Sequence, residues 1–178
     1  TGGCIEWFIK DILGKKVSEN TFKQLENTLL ETQPGSNGLI FLPYICGGRS
    51  PIWNDNATGC FIGLTKAHSY KDMWRSMLEG IAFGLKQNIS ILDRFGVIKK
   101  VYATGGGNQN KQWLQIKANI CGRSFCKLKF SDGAIIGDII LGELSLTKYN
   151  IQDIIKKYII VEEEYFPEIK YAERYNQL

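Results

Sequence analysis

Apolar residues recur along this chain at two spacings, one helical and one alternating, and the switches between them divide it into elements. Ile5, Trp7, Phe8, Ile9, Ile12 and Leu13 predict a helix that Gly14 ends. Phe22, Leu25, Leu29 and Leu30 predict a second helix starting near Asn20, and residues 33–38 form a turn-rich break. Residues 39–44 are a short apolar run expected to be a strand. A Gly/Asn-rich loop over 47–59 follows, holding Arg49, Pro51, Trp53 and Asp55; long loops of this kind often border a binding site.

The strongest helical pattern covers residues 72–95, where Met73, Trp74, Met77, Leu78, Ile81, Leu85, Ile89 and Leu92 keep one face apolar. Ser76, Gly80 and Gly84 stand four apart on one side of it. Two interior glycines each cost a helix about 1 kcal/mol against alanine, so their spacing predicts that another backbone packs closely there. Residues 97–103 predict a strand, followed at once by Thr104-Gly105-Gly106-Gly107. Trp113, Leu114, Ile116, Lys117, Ile120 and Cys121 then predict a helix closed by Gly122. Residues 124–130 read as a strand, 134–144 as a short apolar helix, 151–158 as a helix capped by Asn150, and the tail after Pro167 as a polar helix. Glu162, Glu163 and Glu164 are expected to be a solvated turn or helix start. Strands alternating with helices over the central part define an α/β class.

Composition narrows the picture further. With 178 residues, 44% of them hydrophobic and 22% charged, the chain can bury one real core but not two full-sized ones. The formal net charge of +4, from 22 Lys+Arg against 18 Asp+Glu, is spread in short pairs, so no nucleic-acid partner is expected. No stretch approaches the roughly 20 apolar residues of a membrane span, so no membrane partner is expected either. Thr1-Gly2-Gly3 opens without a basic region and long apolar run, so no secretory signal is expected; the missing Met suggests a processed, tagged or excised piece. Cys4, Cys46, Cys60, Cys121 and Cys126 have no C-x-x-C spacing, which argues against a zinc site or a disulfide framework. Buried free thiols in the cytoplasm are the favoured reading.

The sharpest local chemistry is strand, Gly105-Gly106-Gly107, helix. Glycines let a ligand approach the backbone, and the next helix N-terminus offers unpaired N–H groups to an anion. An ordinary tight turn needs fewer glycines than three in a row, which favours nucleotide binding. A dinucleotide fingerprint wants a glycine where Asn110 stands and an acidic residue where Phe125 and Cys126 lie, so a dinucleotide-dependent oxidoreductase module is a weak reading. No G-x-x-x-x-G-K-[ST] and no G-x-S-x-G occurs, and His68, the single histidine, sits in a polar stretch as a surface residue.

The segment Gly59-Cys60-Phe61-Ile62-Gly63-Leu64, seven residues, then Asp72-Met73-Trp74-Arg75-Ser76-Met77-Leu78-Glu79 resembles the second signature of the FGGY carbohydrate kinase family. Leu42-Pro43-Tyr44 with Gly47-Gly48-Arg49-Ser50-Pro51-Ile52-Trp53 resembles the stretch before that signature. Tyr102-Ala103-Thr104-Gly105-Gly106-Gly107, with Trp113-Leu114-Gln115-Ile116 and Gly122-Arg123, resembles the family's adenosine-binding block, and gluconokinases and xylulokinases come nearest in flavour.

The resemblance implies an RNase H-like α/β domain of the actin/hexokinase ATPase type, with residues 1–178 forming a single C-terminal nucleotide-binding domain that lacks its first strands. It implies a parent enzyme that uses ATP and Mg²⁺ to phosphorylate a sugar or sugar-acid hydroxyl, in the cytoplasm, with a homodimer possible. Gly105, Gly106 and Gly107 correspond to positions against adenosine and the α-phosphate, and Asn110, in the first turn of the next helix, to a nucleotide hydrogen-bonding position. Gly63 and Glu79 correspond to structural positions. Gly133-Ala134-Ile135-Ile136-Gly137-Asp138 stands where the family has a Gly-Ala-Ala helix, with Asp138 a departure. Two further departures matter: no Gly-Thr-Ser phosphate loop and no catalytic aspartate of the sugar-binding domain are here. No catalytic residue and no metal ligand is assigned, and the chain alone is expected to be inactive. The alternative is a truncated, non-catalytic binding or assembly module derived from such a kinase.

Overall fold

The computed structural model describes residues 2–177. Helix α1 (Gly2–Trp7) runs into a wider π-helical turn, Phe8–Ile12, where Leu13 N–H reaches back to Phe8 O. Gly14 then takes φ +62°, left-handed backbone that favours glycine, and the helix stops there as the sequence predicts. Helix α2 (Glu19–Thr28) starts at Ser18, whose hydroxyl accepts from Thr21 N–H.

Strands β1 (Ile40–Leu42) and β2 (Cys60–Ile62) pair antiparallel around the 47–59 loop. The second of these is absent from the sequence reading; three residues are too few for a periodicity to register. Helix α3 (Tyr70–Leu92) is the longest element. It begins with a capping box: Asp72 accepts from Ser69 N–H at 2.8 Å, and the Ser69 hydroxyl answers at the helix start.

The glycine pattern on α3 resolves into two cases. A Cβ on Gly80 would lie 2.1 Å from the carbonyl oxygen of Phe41, so strand β1 does lie directly on the helix. A Cβ on Gly84 would meet nothing within 4 Å, so the predicted close approach stops one turn earlier.

The second sheet has the order β3 (Lys100–Ala103), β4 (Ser124–Leu128), β5 (Val161–Tyr165). Strands β3 and β4 are parallel, joined by helix α4 (Lys111–Cys121) in a βαβ unit, and β5 is antiparallel to β4. Helix α4 is buried on two faces. Trp113, Ile116 and Ile120 join the main core with Trp74, Met77 and Phe8, while Leu114, Ala118 and Cys121 pack with Ile89 and Phe125 near the sheet.

Strand β5 corrects the expectation for the acidic run. Glu162, Glu163 and Glu164 lie within a strand, not a turn or helix start. The bases that offset them come from other elements: Lys127 pairs with Glu162 at 2.9 Å, Lys111 with Glu163 at 2.7 Å and Lys100 with Glu164 at 2.9 Å. Strand propensity disfavours three consecutive glutamates, and these lysines from β3, β4 and α4 offset their charge.

Helix α5 (Gly133–Leu146), helix α6 (Ile151–Tyr158) and the final helix α7 (Ile169–Tyr175) complete the chain. Asn150 caps α6 as predicted, its side chain accepting from Asp153 N–H. Helix α5 is apolar yet exposed: Ile136 is buried, while Ile135, Leu141 and Leu146 are 57%, 64% and 86% exposed. Asp138 is exposed on it, so the departure there disturbs no packing. Of the cysteines, Cys4, Cys121 and Cys126 are buried free thiols, but Cys46 and Cys60 are exposed, against the expectation of uniform burial. Both lie at the edges of the loop joining β1 to β2, where little core covers them. Burial pushes the Cys121 thiol up to about 12.

Candidate nucleotide site

The chain leaves the C-terminal end of β3 at Thr104 and turns at Gly105, with φ +80° and ψ −175°, a conformation closed to residues with a Cβ. Gly105 N–H donates to Ser131 O at 2.7 Å, tying this turn to the segment that leaves β4. Residues Gly106–Asn108 then form a 3₁₀ turn, in which Asn108 N–H reaches Gly105 O and Gln109 N–H reaches Gly106 O. The N–H groups of Gly106 and Gly107 find no acceptor among the described residues.

Between the two turns lies an open cleft of about 400 Å³, lined by Thr104, Gly105 and Gly106 on one wall and Ser131, Asp132, Gly133 and Ala134 on the other. Parallel strands β3 and β4 carry both walls at their C-terminal ends, the usual position for a ligand crevice in α/β folds. Gly133 fits closely against Thr104, where an added Cβ would come within 3.2 Å of its side chain. Asp132 caps α5: its Oδ1 accepts from Ala134 N–H at 3.1 Å and Ile135 N–H at 3.2 Å.

The predicted residues divide accordingly. Gly105 and Gly106 line the cleft. Gly107 stands beneath it, where an added Cβ would lie 2.7 Å from the Trp113 ring. Asn110 is the cap of α4, one position before its first turn, and its oxygen accepts from Trp113 N–H at 2.7 Å, a bond that does not engage the amide N–H₂. Sequence reading missed the second wall, Ser131–Ala134, although Asp-Gly between a strand and an apolar helix is itself a turn signal.

Trp113 connects the turn to the core. Its indole N–H donates to Leu78 O at 3.3 Å on α3, and Lys117 Nζ lies 3.7 Å from the ring centroid. Burial pulls the Lys117 ammonium down to about 8, while the ring face favours its charged form. Asn108, 1% exposed, has neither amide atom hydrogen-bonded within the described residues.

Below this layer, Glu79 is a buried anchor: it accepts from Arg75 Nε at 2.9 Å, Gly35 N–H at 3.0 Å, the Ser36 hydroxyl at 2.8 Å and the Tyr175 hydroxyl at 2.7 Å. That arrangement is structural, in keeping with the role the resemblance gives it. His68 accepts from Thr65 N–H at 3.0 Å and approaches Asn37 O, half-buried at the start of α3 and away from the cleft. Among the described residues, no three His, Cys, Asp or Glu side chains converge as a metal site. No helix among the described residues is long and apolar enough to cross a membrane.

The chain has the actin/hexokinase-type ATPase fold of its solved neighbours, with the glycine turn and its free amides at the open end of a βαβ unit. Residues 1–146 match the FGGY family of carbohydrate kinases, C-terminal domain, and the chain belongs to that family. It is 29% identical to the xylulose kinase of Lactococcus lactis over 99% of this chain and 35% of that protein. It is 28% identical to a gluconokinase of Bacillus licheniformis over 99% of this chain and 36% of that protein. A crystal structure of ligand-bound xylulose kinase from Lactobacillus acidophilus superimposes with a TM-score of 0.85 at 29% identity, covering 99% of this chain and 35% of that one. The chain thus spans about a third of the length of these relatives.

Proposed function

We propose that residues 1–178 form the C-terminal, nucleotide-binding domain of a cytoplasmic carbohydrate kinase that moves the γ-phosphoryl group of ATP to a hydroxyl of a sugar or sugar acid, xylulose- or gluconate-like. The observation that carries this reading is the cleft between Thr104–Gly106 and Ser131–Ala134, with the unpaired amides of Gly106 and Gly107 beside it. In this reading Gly105 and Gly106 give a phosphate room to reach the backbone, Gly107 keeps the turn against Trp113, and the Asn110 amide donates to the nucleotide. Mg²⁺ bound to the ATP phosphates would supply charge neutralisation there. The sugar and the base that deprotonates it belong to the other part of such a kinase.

The test is calorimetric titration with ADP and ATP, alongside phosphorylation assays on D-xylulose and gluconate. Saturable ADP binding that Gly106→Val abolishes is expected, with no phosphoryl transfer by residues 1–178 alone. Absence of saturable nucleotide binding would overturn the reading.

The exposed apolar face of α5 favours a second reading, a non-catalytic assembly module. Concentration-dependent self-association in sedimentation without nucleotide binding would support it in place of the first.

A further inference from the structure

The two walls of the cleft differ in electrical character. On one side, Gly106 lines the cleft, and its amide and that of Gly107 beneath it have no acceptor among the described residues. On the other stands Asp132, the one ionisable side chain among the residues lining the cleft. Its Oδ1 already holds the first amides of α5, so that helix N-terminus, which would otherwise draw an anion, is occupied by the protein's own carboxylate. Both of those bonds fall on Oδ1, so Oδ2 is not engaged by the helix cap.

The geometry points to Asp132 as the residue that orients the nucleotide and reads its nucleoside end, an inference that rests on the nucleotide reading of the cleft. A phosphate beside a carboxylate is repelled, so the phosphates go to the Gly106 and Gly107 amides. The nucleoside then faces Oδ2. An ionised carboxylate only accepts hydrogen bonds, so it selects a group that donates: the exocyclic amine of the base or a ribose hydroxyl. A ligand turned the other way would set phosphate against carboxylate and leave the amides empty. Asp132 thereby fixes direction as well as identity.

The experiment measures binding of ADP, of purine riboside diphosphate (which lacks the amine), of 2′-deoxy- and 3′-deoxy-ADP, and of pyrophosphate to the intact protein. It compares wild type with Asp132→Asn and Asp132→Ser, both of which keep an acceptor to cap α5. Wild type is expected to bind ADP about tenfold more tightly than whichever analogue lacks the group being read. Loss with purine riboside diphosphate assigns the amine, and loss with a deoxy analogue assigns the ribose. Both variants are expected to bind ADP about tenfold more weakly, to lose the discrimination, and to bind pyrophosphate at least as well as wild type. A purely structural role would weaken pyrophosphate and ADP alike, and that result overturns the inference. So does unchanged discrimination in both variants, which leaves the nucleotide reading intact. Failure of wild type to bind ADP and pyrophosphate overturns the nucleotide reading itself.

Discussion

Tyr175, in the last helix, donates its hydroxyl to the buried carboxylate of Glu79 at 2.7 Å across 96 positions of sequence. Arg75, the Ser36 hydroxyl and the Gly35 amide complete the ring around that carboxylate, so one acidic group joins α3, the turn before β1 and α7. Burial raises the Tyr175 phenol, which stays protonated and keeps donating. Glu79→Ala leaves the buried Arg75 guanidinium without its counter-charge and is expected to cost about 3–5 kcal/mol in urea unfolding. Tyr175→Phe removes one hydrogen bond to a charged group and is expected to cost about 1.5–3 kcal/mol.

The glycines of α3 separate in the same assay. Gly80→Ala drives a methyl into the Phe41 carbonyl and is expected to destabilise by about 1–3 kcal/mol, since strand and helix must move apart. Gly84→Ala has open space and a helical backbone, and is expected to stabilise by up to about 1 kcal/mol. Equal effects of the two substitutions would contradict the packing described.

Lys117 gives a pH dependence with a definite sign. Its folded value of about 8 lies below its ordinary 10.5, so the cost of burying the charge is fully present below pH 8 and gone above 10.5. Between those limits the unfolded chain binds more protons and stability from this group rises with pH. Lys117→Met is therefore expected to stabilise at pH 7 and to lose that advantage toward pH 10. The readout is the difference in unfolding free energy between variant and wild type across that range.

Gly107 and Asn110 test the turn. Gly107→Ala places a methyl 2.7 Å from a Trp113 ring that is itself held by Leu78 O, so the turn must shift. ADP affinity is expected to fall about tenfold, a loss of about 1.4 kcal/mol. Asn110→Asp keeps the cap on Trp113 N–H but replaces the amide donor with a second acceptor. It is expected to leave thermal stability unchanged while weakening ADP, whereas loss of stability with unchanged affinity would leave Asn110 a cap only.

The buried asparagines provide a contrast. Asn119 accepts from Gln115 at 3.0 Å and from Glu168 N–H at 2.8 Å, so Asn119→Ala removes both bonds, leaves Glu168 N–H without its acceptor and is expected to cost about 1–3 kcal/mol. Asn108 has no partner within the described residues, so Asn108→Ala removes an unpaired amide and is expected to be neutral or stabilising. Thermal melts of the two variants provide the check.

Local rules made much of the fold legible. Gly14, Gly122 and Asn150 ended or began helices where they stand because left-handed backbone and side-chain caps depend on immediate neighbours. The long helix α3 was legible from its apolar spacing, and the family from a signature running through Glu79. The glycine wall of the cleft was legible too, because a strand followed by three glycines is a local pattern.

What escaped the sequence depends on distant partners. The acidic strand β5 exists because Lys100, Lys111 and Lys127 face it from other elements, and no local propensity carries that. The openness at Gly84, against the contact at Gly80, is decided by where β1 ends, not by glycine spacing. The second wall of the cleft needed parallel pairing of β3 with β4 to bring Ser131 within hydrogen-bond reach of Gly105. The sequence by itself determined elements whose causes lie within a few residues. Only the tertiary structure decided which charges meet, which glycine is crowded and which carboxylate enters the cleft, because those depend on distances between residues far apart in the chain.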